Sequence, residues 1–323
     1  MPAKGNPPMG ATTEPAVPST AEGEPAKARL TGALIRRRYL AAFLLLLPAV
    51  ALRLFTVAYP LVQVVKLSFT NYNPAFPPLE YIGLKNFQRI TQDVGVRSSI
   101  SFTIIFVAVS TLLELALGLL VASLLNNAFR GRTFARAVNL IPWAIPMVVA
   151  ALGFRWMFDK EYGIISDLFA RVTGVHVAWL SQFWTARIAV IATNVWKSTP
   201  FLALVFLAAL QGVPAELYEA ARVDGANPFQ MFRKITFPLI LPQATTMGLF
   251  MVVWQLASFD LIYAMTGGGP GFATQVLAYN IYQAAFGGLN FGYASAISLV
   301  LFLLVIIMGG LGLLLYRRVE ISY

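Results

Sequence analysis

Six apolar blocks, each about as long as a membrane-crossing helix, limit what this sequence can fold into. They cover approximately residues 39–65, 99–125, 134–158, 188–210, 243–263 and 294–316. Crossing ~30 Å of hydrocarbon takes ~20 helical residues. Each span must satisfy its backbone polar groups within itself, so closed helices are the expected form. The chain is 58% hydrophobic with a mean hydropathy of +0.70, which fits an all-α polytopic membrane protein and excludes an ordinary water-soluble domain.

The net charge of +10 raises the question of nucleic acid. The basic residues gather at the ends of the apolar blocks, however, where anchoring and orientation account for them, and no nucleic-acid partner is expected. With no cysteine, disulfides, thiolate metal sites and thiol catalysis are excluded. The single histidine, His176, leaves nothing for a multi-histidine site, so neither a metal nor a catalytic group is expected. Residues 1–30 carry Pro2, Pro7, Pro8, Pro15, Pro18 and Pro25 and no aliphatic run. They read as a disordered cytoplasmic tail without the core of a signal peptide, ahead of a transmembrane domain over 31–323.

Charge placement orients the spans. With the N-terminus inside, fourteen Lys and Arg residues fall on the cytoplasmic side, among them Arg36, Arg37, Arg38, Arg130, Arg132, Arg222 and Arg317. Seven fall outside, and the loop 266–293 has none. Both termini are therefore expected in the cytoplasm. The outside loops would be 66–98, 159–187 and 264–293.

One inside connection, 212–242, is long and polar. Pro214 suits a first helical turn, since its missing N–H has no partner there. Ala215 to Val223 are mostly good helix formers, with Glu216 and Glu219 toward the N-terminal end, and Gly225 follows as a left-handed stop. Asn227 as N-cap and Pro228 at the next first position begin a second short helix. Read from the residues, this is either a projection that docks into another protein or an amphipathic connector packed on its own bundle.

The motif within it favours docking. Glu219-Ala220-Ala221, then Gly225, Ile235 and Phe237-Pro238, resembles the EAA loop of binding-protein-dependent ABC permeases, with Phe237 where that family usually has Leu. Tyr81-Ile82-Gly83-Leu84-Lys85-Asn86-Phe87, the run from Phe259 to Pro270, and Phe291-Gly292-Tyr293-Ala294-Ser295 are similar to the carbohydrate-uptake subgroup. The resemblance implies a type I importer bundle of six transmembrane helices in the bacterial cytoplasmic (inner) membrane. It also implies partners: a second homologous permease in a heterodimer, two ATPase subunits, an external substrate-binding protein and membrane lipid. ATP and Mg²⁺ would lie on the ATPases and no cofactor on this chain. The coupling residues by this resemblance are Glu219, Ala220, Ala221, Asp224, Gly225, Ala226 and Pro228. In agreement, the sequence has no G-x-x-x-x-G-K-[ST] phosphate loop, and Gly267-Gly268-Gly269-Pro270-Gly271 reads as a flexible external loop.

Ionisable groups inside a bilayer are functional candidates by default. Arg53 and Glu114 fall at one depth on the first two spans, so an interhelical ion pair is expected, structural in role. Asn194, Trp196 and Lys197 on span four, and Gln255, Ser258 and Phe259 on span five, supply the aromatic faces and hydrogen-bonding groups that bind sugars. Two readings are open for them: lining a substrate pathway, or bonding helix to helix. Trp143, Arg155 and Trp156 read as packing and outer-interface residues. An ion-driven secondary transporter is the alternative function, but its repeated halves and multiple buried carboxylates are not evident. A membrane enzyme would need a nucleophile–base pair that is not apparent.

Overall fold

In a computed structural model, residues 24–320 are described and fall into two units that divide between Leu61 and Val62. The expected tail lies outside the described residues up to position 23, and residues 24–30 open the first helix. That helix, α1 (Glu24–Ser68), has Pro48 and Pro60 inside it. The Thr56 hydroxyl donates to the Leu52 carbonyl, one of the ways a transmembrane helix rearranges its polar groups locally.

The second unit holds every other element. These are α2 (Lys85–Gln92), α3 (Val94–Asn126), α4 (Arg132–Asn139), α5 (Ile141–Ala144), α6 (Met147–Met157), α7 (Ile164–Thr173) and α8 (Phe183–Gln211). They continue with α9 (Ala215–Val223), α10 (Pro228–Met231), α11 (Phe237–Leu256), α12 (Asp260–Met265), α13 (Leu277–Tyr282) and α14 (Phe291–Glu320). Among the described residues, five helices are long and apolar enough to cross a membrane, and a sixth span results if a bent pair is counted as one.

That bent pair is the third block. The span expected over 134–158 is built as two arms, Arg132–Ala144 and Met147–Met157, meeting at 91°. The cause is local. Pro146 has no N–H to continue the ladder, and it holds Ile145 extended at φ −69°, ψ 133°. The fifth block also differs: α11 ends at Leu256, Ala257 to Phe259 leave the helix, and α12 restarts with Asp260 in its first turn, where a carboxylate complements the helix dipole.

The long helices α3 and α8 pack along each other at the centre of this unit. Gly118 permits it: a Cβ there would stand 2.8 Å from Leu202 Cβ, inside van der Waals contact. Around this seam Ala122, Leu202, Phe206, Leu210, Ile240 and Met251 form one buried cluster. A second joins Phe102, Phe106, Val190, Leu256, Leu261 and Met265. The glycine-rich segment 267–271 is stitched into a turn, with Thr266 and Thr274 hydroxyls 2.7 Å apart and Thr274 donating to the Gly269 carbonyl.

Candidate functional site

Two regions draw the singled-out residues together. The first is the loop after α8. Pro214 precedes α9, and Gly225 follows it at φ +78°. The Gly225 N–H donates to Arg222 O at 3.1 Å and the Ala226 N–H to Ala221 O at 2.9 Å, the paired bonds that close a helix on a left-handed residue. Asn227 then caps α10: its Oδ1 accepts from Gln230 N, while Gln230 Oε1 accepts from Asn227 N, both at 2.9 Å. The reciprocal partner Gln230 is a capping signal that the sequence reading left unused.

No residue of α9 or α10 is buried. Val223 is 88% and Phe229 70% exposed, an apolar surface the bundle leaves uncovered. The Tyr218 hydroxyl lies 2.9 Å from that of Thr236 and ties α9 to the π-helical turn Phe232–Thr236 leading into α11. A push on α9 thus has a short route to a membrane span.

The second region is a cavity of about 860 Å³ bounded by α5, the break at Ile145 and Pro146, α6, α8 and α11. Trp143, Phe201, Phe250 and Trp254 give it an aromatic wall. Trp143 stacks on Phe201 with centroids 5.6 Å apart, and Phe250 lies 5.7 Å from Trp254. Polar groups reach it from Asn194, Lys197, Ser198, Gln255, Ser258 and Asp260. An apolar pocket of this size with a few convergent polar groups is the usual form of a small-molecule site.

Lys197 and the broken span are coupled. The end of α5 leaves carbonyls without helical partners, and Lys197 Nζ donates to the Trp143 carbonyl at 3.0 Å. A cation thereby caps a helix C-terminus beside the cavity.

Behind the wall lies Glu114, fully buried. Asn194 Nδ2 donates to its Oε1 at 2.9 Å and Gln255 Nε2 to its Oε2 at 2.7 Å. Within this unit, two amides take the oxygens of its carboxyl group.

Of the six pathway residues singled out, Asn194, Lys197, Gln255 and Ser258 line the cavity. Trp196 instead meets Phe154 edge-on at 4.9 Å. Phe259 packs with Tyr263, Tyr279 and Tyr282 in a separate aromatic cluster. Trp143, read as an interface residue, belongs to the cavity wall, as does Phe250. The signal that could have found Trp143 is its place between Pro142 and Pro146, which mark an interrupted helix.

Residues 114–321 match the family of binding-protein-dependent transport system inner membrane components. This chain belongs to that family. The permease is 35% identical over 280 residues to the trehalose/maltose transport system permease protein MalF of Thermococcus litoralis, covering 86% of this chain and 94% of that one. It is 37% identical over 266 residues to the sulfoquinovosyl glycerol transport system permease protein SmoG of Agrobacterium fabrum, covering 82% and 86%. Its fold is similar to that of a chain in the crystal structure of a bacterial alginate ABC transporter in complex with alginate pentasaccharide-bound periplasmic protein. That likeness has a TM-score of 0.76 at 23% identity and covers 88% of this chain and 96% of that one. The permease is thus a multi-pass inner-membrane subunit of an ABC importer, from a family of membrane components without a nucleotide-binding domain. The ion-driven alternative falls with that membership.

Proposed function

We propose that the permease forms half of the translocation pathway for a sugar or sugar-like solute and works by alternating access. The observation that carries this reading is the cavity of about 860 Å³, where aromatic faces stand opposite amides and hydroxyls. Aromatic rings bury the apolar faces of a sugar, while amides and hydroxyls bond its edges. The names of the two relatives, which cite trehalose, maltose and sulfoquinovosyl glycerol, support a carbohydrate-type substrate.

A second homologous permease supplies the other half of the pathway, and an external binding protein delivers the solute. Two ATPases carry the ATP and Mg²⁺ and receive the segment from Ala215 to Pro228, with Glu219, Ala220, Ala221, Asp224, Gly225 and Ala226 at the contact. The uncovered Val223 and Phe229 support such docking. The excess of basic residues on one side supports cytoplasmic termini. ATP-driven closure of the ATPases moves α9, and through Tyr218 and the π-helical turn the motion reaches α11 and the cavity.

Trp254→Ala tests the reading. With maltose as probe, the reconstituted importer complex should bind about 2–10-fold more weakly, corresponding to about 0.5–1.5 kcal/mol for one aromatic contact. Unchanged maltose binding in Trp254→Ala and in Phe250→Ala would remove the cavity from the pathway.

A further inference from the structure

We infer that Glu114 is a positioning residue for this cavity: it turns the Asn194 and Gln255 amides so that their carbonyl oxygens remain as acceptors for the hydroxyl groups of the solute. The inference rests on the reading of the cavity as the solute site. An amide side chain is polar at both ends, with a donor NH₂ and an acceptor oxygen, and it can be built either way round. A carboxylate offers acceptors to both neighbours. Each oxygen of Glu114 takes one NH₂, at 2.9 Å from Asn194 and 2.7 Å from Gln255. Thr111 Oγ1, 3.3 Å from the same Gln255 nitrogen, adds an acceptor on that side.

Both amides line the cavity, and both are only 3% exposed. With the NH₂ ends turned toward Glu114, the ends left over are carbonyl oxygens. Gln255 Oε1 is buried and finds no donor within the protein, an unfavourable arrangement that a hydroxyl would relieve on reaching it. Glutamine at position 114 would reverse this for one neighbour. Its own NH₂ requires an acceptor, so either Asn194 or Gln255 flips and leaves a donor in place of the acceptor. Glu114 thus acts through the amides and has no need to touch the solute.

The test uses the importer complex reconstituted without its binding protein and titrated with maltose, the fluorescence of Trp143 and Trp254 reporting occupancy. Glu114→Gln should weaken binding about tenfold, the scale of one mismatched hydrogen bond. Adding Asn194→Asp to Glu114→Gln restores the complementarity. The carboxylate introduced on α8 accepts from the amide introduced on α3 and still presents an oxygen to the cavity. That double variant should recover to within about threefold of the unmodified complex. A purely structural carboxylate gives no such recovery.

A second arm needs no substitution: among singly deoxyfluorinated maltoses, at least one should bind the unmodified complex about tenfold more weakly than maltose. The inference is overturned if Glu114→Gln binds as the unmodified complex does while Trp254→Ala is weakened, and the cavity reading then stands. It is overturned equally if the double variant assembles but does not recover, or if every fluorinated maltose binds as maltose does. If Trp254→Ala, Phe250→Ala and Glu114→Gln all leave binding unchanged, the cavity reading fails and takes the inference with it.

Discussion

Replacing Gly225 separates backbone conformation from side-chain crowding at the corner between α9 and α10. Its φ is +78°, and a Cβ built there meets no atom within 4 Å. Any side chain is therefore opposed by the backbone alone in the isolated subunit. The left-handed conformation costs an L-residue ~1–2 kcal/mol, most for a β-branched one and least for asparagine. If the corner straightens instead, the bonds from Gly225 N to Arg222 O and from Ala226 N to Ala221 O are lost, at about 0.5–1.5 kcal/mol each. Either route lowers the ratio of formed to unformed corner by roughly 5–30-fold for valine. The assay is uptake per ATP hydrolysed in proteoliposomes, with the amount of assembled complex as control. The expected order is Gly, Asn, Ala, Val, at constant assembly because the corner is exposed. Full coupling in Gly225→Val would refute the reasoning. An order following side-chain size, with alanine normal and asparagine defective, would refute it differently, by showing that a partner surface rather than φ sets the requirement.

Two further outcomes follow from the same geometry. Gly118→Ala places a methyl group 2.8 Å from Leu202 Cβ and should cost ~1–3 kcal/mol by overpacking, read as a lower melting temperature in detergent. An unchanged melting temperature would mean that the α3–α8 seam is looser than described. Because the chain has no cysteine, single cysteines report sidedness cleanly. Phe272→Cys should react with an impermeant maleimide in intact spheroplasts and Arg130→Cys, exposed in the other inside connection, only in inside-out vesicles, and the reverse pattern would invert the proposed orientation.

Legibility in the sequence followed the range of the interaction. The α9–α10 corner could be read because Pro214, Gly225, Asn227 and Pro228 act on their immediate neighbours, and the bonds found there are local. The hydrophobic blocks could be read because lipid imposes one length on all of them. The break in span three carried its signal in Pro146, but hydropathy averaged over 134–158 hides a bend that does not alter composition. The amides that meet Glu114 were not legible, since azimuth around a helix depends on which helix packs beside it. The cavity wall shows the same limit: Trp143 and Phe201 are far apart in sequence, and their stacking is a property of the assembled bundle. Trp196, one residue from Lys197, turns away from the cavity that Lys197 lines.

The bent third span also bears on how the protein is made. Its α6 arm has 11 residues, about 16 Å of helix, and cannot cross the bilayer alone. The other arm ends in carbonyls whose capping lysine lies on α8, which is synthesised later. When span three leaves the ribosome, the lysine that caps its first arm has yet to be made. The bend gains its polar partner only once span four is in place. Loss of Lys197 from α8 would then leave the bend of the third span without its cap.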